Sequence, residues 1–130
     1  MKSESFRDNQ TLLELLELCI AHSEDDFGNN RYKFENENVS AILDYSKNDG
    51  DTSISLFVSG QAEPIVEVRL IGSKDVKVVY DSKAAYLEFA GQIVDEEFSR
   101  GCVQKTFGFR FWLKPVLRVE PYYIGSNEGQ

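Results

Sequence analysis

The chain has 130 residues, a formal net charge of −8, and 42% hydrophobic and 28% charged residues. This length suits one domain, and the composition is that of a globular protein rather than a disordered one. No apolar run approaches the roughly 18–20 residues that cross a bilayer, and the start Met-Lys-Ser-Glu does not resemble a secretory signal. We therefore expect a cytoplasmic domain without membrane contact, in which Cys19 and Cys102 are reduced.

The first predicted element is a helix that begins at Thr11. Thr11 and Glu14 have the spacing of a capping box, and apolar residues follow at helical intervals. These residues are Leu12, Leu13, Leu15, Leu16, Cys19 and Ile20. The polar sequence 23–30 predicts the loop that ends the helix and leaves His22 near the helix C-terminus.

Alternating apolar and polar residues then predict an antiparallel meander of four or five strands. The predicted strands cover residues 31–35, 39–45, 54–58, 66–70 and 76–80. Between the second and third lies Asn48-Asp49-Gly50-Asp51, a strong turn signal because Asp-Gly tolerates positive φ.

A second amphipathic helix is predicted after the meander. Asp81 or Ser82 is a suitable N-cap, and Gly101 is a suitable residue after the helix C-terminus. The apolar side would carry Tyr86, Phe89, Ala90, Ile93, Val94 and Phe98.

The last predicted element runs from Phe107 to Tyr123, with its apolar residues mostly at odd positions. One interpretation is a single long bent strand with Pro115 at a bulge or an edge position, which we favour because a tight turn commonly breaks this parity. The other is a hairpin that turns at Lys114-Pro115. Residues 125–130 are expected to form a flexible tail.

Together these elements predict an α+β fold over residues 1–124, with a meander of four or five strands completed by the terminal strand or hairpin. Both helices are expected on one face of the sheet, because each has one broad apolar side to bury. The predicted core residues are Leu13, Leu16, Ile20, Phe89, Ile93, Phe107, Phe109 and Phe111.

The acidity of the chain is concentrated in its first part. Residues 1–51 contain twelve Asp or Glu and five Lys or Arg, a net charge of −7, whereas the other 79 residues have a net charge of −1. One-sided negative potential attracts a basic partner and repels nucleic acid and anionic membranes. The candidate partner-binding patch consists of Glu24, Asp25, Asp26, Glu35, Glu37, Asp49 and Asp51.

A second candidate surface lies on the even positions of the last element: Arg110, Trp112, Lys114, Arg118 and Tyr122. Aromatic residues and Arg are enriched at interface hot spots, and they also bind single-stranded nucleic acid. The alternative is that this face packs beneath a helix, with the Lys and Arg stems covering apolar surface. The negative net charge argues against direct nucleic-acid binding.

No catalytic signature, cofactor motif or metal-ligand spacing is present in the sequence. The single histidine, His22, would have to serve any nucleophile–base pair, and no GxSxG sequence presents a serine. We therefore expect a protein that is not an enzyme and that needs no cofactor or metal.

The small size, acidic surface and missing catalytic groups predict a non-catalytic module that docks on a basic protein and neutralises it. This profile is similar in type to that of immunity proteins, which neutralise bacterial toxins, and it implies a toxin or effector domain as partner. No motif identifies such a family, so no residue roles are carried over. The alternatives are a dimeric scaffold similar to secretion chaperones and a domain that binds a small ligand.

Overall fold

A computed structural model of the chain describes residues 1–73, 75–94 and 105–126 and shows an almost entirely β fold. The described part contains ten strands and one helix of four residues. They are β1 (Lys2–Ser5), α1 (Leu12–Leu15), β2 (Ala21–Glu24), β3 (Asn29–Asn36), β4 (Val39–Ser46), β5 (Thr52–Val58), β6 (Val66–Ile71), β7 (Val76–Tyr80), β8 (Ala85–Val94), β9 (Lys105–Lys114) and β10 (Arg118–Ser126).

The strands form two antiparallel sheets that share β8. Sheet A has the order β1-β7-β8-β9-β10, and sheet B has the order β2-β3-β4-β5-β6. Residues 85–89 of β8 pair with β7, whereas Ile93 and Val94 pair with Ile71 and Leu70 of β6. A strand that passes from one sheet to the other forms a corner of a β-sandwich.

The inner faces of the two sheets enclose one apolar core. Phe34 of β3 meets Phe111 of β9 edge-on, with ring centroids 5.3 Å apart. Phe6, which follows β1, packs its ring on Tyr32 and Tyr45 of sheet B. All five rings are buried, so the many aromatic residues of the sequence supply the centre of the core.

The predicted meander is confirmed for its first four strands, β3 to β6, whereas the fifth predicted strand, β7, pairs with β1 and β8 in sheet A. Along β3, Asn30, Tyr32 and Phe34 are buried, whereas Arg31 and Lys33 between them are exposed. This alternation is typical of a strand with one inner face. The predicted Asp-Gly turn joins β4 to β5, and Gly50 has a φ of 79°. A Cβ there would lie 2.8 Å from the backbone nitrogen of Ser73, so the turn requires glycine for space as well as conformation.

The first predicted helix is wrong beyond its first turn. Only Leu12–Leu15 is helical, Thr11 makes no side-chain capping bond, and Glu17 with a φ of 56° lies just beyond the C-cap residue. An isolated short helix depends on packing for its stability, and of the apolar residues in α1 only Leu12 and Leu13 are buried. Within the described ranges no helix is long and apolar enough to cross a membrane.

The second predicted helix is also wrong, because its first part is strand β8. Ala85, Leu87 and Phe89 are buried, whereas Tyr86 and Glu88 between them are only partly buried. The apolar residues of this segment fit the helical period as well as the strand period. Pairing with β7 on one side and β9 on the other favours the strand. The remainder of the predicted helix, residues 95–100, lies outside the described residues.

The terminal segment is a hairpin of β9 and β10, so the bent strand that the sequence favoured is wrong. Trp112 pairs with Arg118, which leaves five residues between the paired positions. An odd number of intervening residues keeps odd positions opposite odd positions, whereas a two-residue loop breaks the parity. β10 continues to Ser126 and so includes two residues assigned to the tail, while residues 127–130 lie outside the described part.

The α+β class is therefore wrong, although much of the predicted core is correct. Leu13, Phe89, Phe109 and Phe111 are buried and Leu16 packs partly buried against the core, but Ile20 is 65% exposed. Ile93 and Phe107 lie in β8 and β9, at positions where only the backbone is described.

Candidate functional site

An open depression of about 930 Å³ lies on the outer side of sheet B. Ser23, Arg31, Asp44, Ser53 and Arg69 lie opposite one another on β2 to β6 and line it. Directly opposite residues of antiparallel strands point to the same side, so these side chains form one row across the depression. We call it the acidic depression, because five acids and two arginines line it, a net charge of −3; they are Glu24, Asp25, Asp44, Asp49, Asp51, Arg31 and Arg69.

Asp25 brings one carboxylate to the depression from the turn between β2 and β3. Its side chain accepts hydrogen bonds from the backbone N–H groups of Phe27, at 2.8 Å, and Asn29, at 3.0 Å. The side-chain amide of Asn29 donates a third bond at 2.9 Å. The Asn29 side chain first, and then the two N–H groups, lower the pKa of Asp25, so this carboxylate is ionised at neutral pH.

Asp49 and Asp51 come from the turn between β4 and β5. Asp49 accepts a hydrogen bond from the N–H of Asp51 at 3.0 Å, and Asp51 accepts one from the N–H of Gly72 at 3.1 Å. The second bond joins two neighbouring turns, those before β5 and before β7. These neutral donors orient the carboxylates without removing their charge.

Arg31 and Asp44 form a two-point ion pair inside the acidic depression. The Arg31 Nε lies 2.7 Å from one Asp44 oxygen, and a terminal nitrogen of Arg31 lies 3.1 Å from the other. Hydrogen bonding and the charge of Asp44 raise the pKa of Arg31. Asp44 is therefore balanced by a cation of the chain itself.

The predicted acidic patch is divided between two places. Glu35 and Glu37 line a second depression at the far end of the β3–β4 hairpin, while Asp26 is exposed in the β2–β3 turn and lines neither depression. The six residue steps from Asn29 to Glu35 along β3 separate these two residues by roughly 20 Å, at about 3.4 Å per residue. The four patch residues that meet in the acidic depression are Glu24, Asp25, Asp49 and Asp51.

The second depression has a volume of about 490 Å³, and five of its twelve lining residues have apolar side chains. Glu35 lies opposite Ser40, and Ser40 lies opposite Phe57, so its floor is also a row on the outer side of sheet B. We call it the apolar depression, after its apolar lining residues Val39, Ile42, Phe57, Val58 and Ala62.

The second candidate surface occupies the outer side of sheet A. Two cross-strand rows form it: Tyr86, Trp112 and Arg118 in one, and Glu88, Arg110 and Glu120 in the other. Lys114 lies at the end of β9, where its Nζ is 3.4 Å from the backbone oxygen of Ser82, and Tyr122 lies at the other end of the face. The alternative, that this face packs beneath a helix, loses its basis because the second predicted helix begins as strand β8 of the same sheet.

The two arginines of this second candidate surface, which we call the aromatic–arginine face, are paired within the face. The Arg118 guanidinium lies 4.5 Å from the Trp112 ring centroid, and that of Arg110 lies 4.6 Å from the Tyr122 ring centroid. Burial lowers the pKa of Arg110, but hydrogen bonds with Glu88 and Glu120 outweigh this effect and raise it. The Trp112 N–H and then the two arginines lower the pKa of Glu120. This arrangement stabilises the β9–β10 hairpin, which is a structural role.

His22 lies in β2. The position predicted from the sequence, near the C-terminus of the first helix, is therefore wrong. The His22 ring stacks on Tyr32 with centroids 4.1 Å apart, Nε2 lies 2.7 Å from Asn30 Oδ1, and Nδ1 contacts a carboxylate oxygen of Glu14. The imidazole thus connects α1 with sheet B rather than facing a nucleophile. Among residues 1–73, 75–94 and 105–126, no group of three or more His, Cys, Asp or Glu side chains is arranged to hold a metal ion.

Sequence reasoning missed Arg31, Asp44 and Arg69 as residues of the site. Arg31 and Asp44 alternate with buried neighbours, and Arg69 lies between the partly buried Val68 and the buried Leu70, so the outward direction of all three could have been read from the sequence. Their position in one row depends on the register of β3 to β6, which the sequence pattern does not specify.

Comparisons of the chain with protein-family models, with curated proteins and with solved structures found no significant match.

Proposed function

We propose that this domain is a non-catalytic binding module whose acidic depression receives a basic segment of a partner protein. One observation carries the proposal: four carboxylates of the predicted patch, supplied by β2 and by two different turns, line one depression. Opposite charges in such a site steer the encounter and select the partner more than they determine the affinity.

The size of the depression supports a peptide segment as the ligand. A volume of about 930 Å³ is at the upper end of the range of small-molecule sites, so several side chains fit. A basic loop or terminus of a folded protein would place two or more cations near these carboxylates. The net charge of −8 adds a long-range attraction that added salt weakens, because the screening length falls to about 8 Å at physiological ionic strength.

The proposal is tested by titrating the domain with hexa-arginine by isothermal calorimetry in about 20 mM salt, well below the ionic strength at which screening dominates. The depression variant is Glu24→Gln/Asp49→Asn/Asp51→Asn, in which the amides keep the shape of the side chains. The control variant, Asp8→Asn/Glu63→Gln/Asp75→Asn, removes three exposed carboxylates that lie outside the acidic depression.

Both variants remove three negative charges, so a response to net charge alone weakens binding equally in the two. We expect the depression variant to lose most of the affinity for hexa-arginine and the control variant to keep most of it. Equal losses would contradict the proposed site, and absence of binding by the unmodified domain would contradict the proposed function. The cytoplasmic location and the lack of enzymatic activity stay predictions from the sequence.

A further inference from the structure

We infer that the apolar depression is a second contact site for the same partner, whose basic segment therefore also carries an apolar anchor residue. The inference rests on the proposed function, because it adds a second site to the interaction with a basic partner. It accounts for two of the three carboxylates of the predicted patch that the acidic depression does not include, namely Glu35 and Glu37.

Apolar side chains are open to solvent at this place. Phe57 and Ile42 lie on the outer side of sheet B and are only partly buried. Val58, at the end of β5, also lines the depression and is 37% exposed. Neighbouring apolar groups on a surface, edged by polar residues, are typical of interaction sites.

The two depressions are continuous along one side of sheet B. On β4, Asp44 lines the acidic depression, Ile42 and Ser40 line the apolar depression, and all three alternate with buried residues. Four residue steps along β4 separate Asp44 from Ser40, which corresponds to a distance of roughly 13 Å. A single extended segment of a partner can therefore reach both places with side chains about four residues apart.

The charges of the apolar depression select the same kind of partner. Glu35 and Glu37 are the two charged residues that line it, and no Lys or Arg is among the lining residues. An acidic segment is repelled at both depressions, whereas a basic segment with an apolar residue is attracted at both and buries its apolar group at the second. The occupant that the structure fits is thus a basic segment with a large aliphatic residue about four positions from a cation.

Two synthetic peptides test this inference. The two-part peptide Arg-Arg-Ser-Gly-Ser-Leu-Leu carries both features, and the basic peptide Arg-Arg-Ser-Gly-Ser-Ser-Ser lacks the apolar anchor. Affinities are measured by calorimetry in about 20 mM salt, where charge interactions are weakly screened. Because burial of a leucine side chain favours binding, we expect the two-part peptide to bind about tenfold more tightly or better.

A matched pair of variants locates the gain. Val58→Ser alters a residue that lines the apolar depression and is 37% exposed, and Val116→Ser makes the same change in the β9–β10 loop, where Val116 is 52% exposed. We expect Val58→Ser to remove most of the advantage of the two-part peptide without changing the affinity for the basic peptide, and Val116→Ser to preserve it. Equal binding of the two peptides, or a gain that survives Val58→Ser, would overturn the inference alone. Failure of the basic peptide to bind would instead overturn the proposed function, and this inference with it.

Discussion

The substitution Gly108→Ala tests the packing of the aromatic–arginine face. Gly108 of β9 lies opposite Tyr122 of β10, and the Tyr122 ring lies over it. A Cβ at position 108 would lie 2.1 Å from Cζ of Tyr122, 2.4 Å from Cε2 and 2.5 Å from the hydroxyl oxygen. Carbon atoms in contact are about 3.5–4.0 Å apart, so the ring has to move by roughly 1.5 Å.

The expected free-energy change follows from these distances. Overpacking of this kind costs about 1–3 kcal/mol, and displacing the ring also weakens its contact with Arg110, which lies 4.6 Å from its centroid. Replacing a strand glycine by alanine otherwise stabilises by about 0.5–1 kcal/mol. We therefore expect Gly108→Ala to lower the free energy of unfolding by about 0.5–2 kcal/mol when Tyr122 is present.

A double-mutant cycle with Tyr122→Ala isolates the collision. In the Tyr122→Ala background the new methyl group meets no ring, so Gly108→Ala should stabilise the domain by about 0.5–1 kcal/mol. The free energies of unfolding are measured by urea denaturation of the four proteins. The same change in both backgrounds, or stabilisation by Gly108→Ala when Tyr122 is present, would refute the reasoning.

Three further predictions concern the core, the first turn of α1 and the turn at Asp25. Phe111→Ala should lower the free energy of unfolding by about 3–5 kcal/mol, because Phe111 is fully buried against Phe34. Phe27→Ala should change it by less than about 0.5 kcal/mol, because Phe27 is 76% exposed. Similar urea midpoints for the two variants would contradict the sandwich core. Leu13→Ala should lower the free energy of unfolding by about 2–5 kcal/mol and Leu15→Ala should hardly change it, since Leu13 is buried and Leu15 is exposed. Equal losses of stability in thermal unfolding would contradict the short helix and favour the longer amphipathic helix. The folded state lowers the pKa of Asp25, so its stabilising contribution is present above the unfolded value of about 3.9 and is lost as pH falls through the lower, folded value. The loss of stability between pH 7 and about pH 3 should therefore be smaller for Asp25→Asn than for the unmodified domain, and equal losses in denaturation at the two pH values would contradict this role of the Asn29 and Phe27 donors.

The sequence correctly predicted those strands in which the alternation of apolar and polar residues fits a strand and no other element. In β3, β4, β5 and β7 the buried residues alternate with less buried ones and turn residues separate the runs, so the local pattern and the sheet agree. Residues 85–94 fit both the helical and the strand period, and the strand is chosen because β8 pairs with β7 on one side and β9 on the other, which the local pattern does not show. Residues 11–20 show a helical pattern, but the core accommodates only its first part.

The candidate site shows the same limit. The acidic character of the first 51 residues is a property of composition and could be read directly. Which carboxylates meet depends on the sheet: β3 places Asn29 and Glu35 at opposite ends, so Glu35 and Asp25 separate although they are close in sequence. Conversely, Asp51 and Arg69 are close in space because β5 pairs with β6. Register, rather than residue type, determines the composition of the acidic depression.

The most direct test of the central claim is to observe backbone amide signals by NMR while hexa-arginine is added to the unmodified domain in about 20 mM salt. A basic ligand in the acidic depression should shift the signals of residues 23–31, 44–53 and 69–71 and leave those of the aromatic–arginine face on sheet A nearly unchanged. Shifts distributed evenly over both sheets, or largest around Trp112, would contradict the claim that these carboxylates form the binding site.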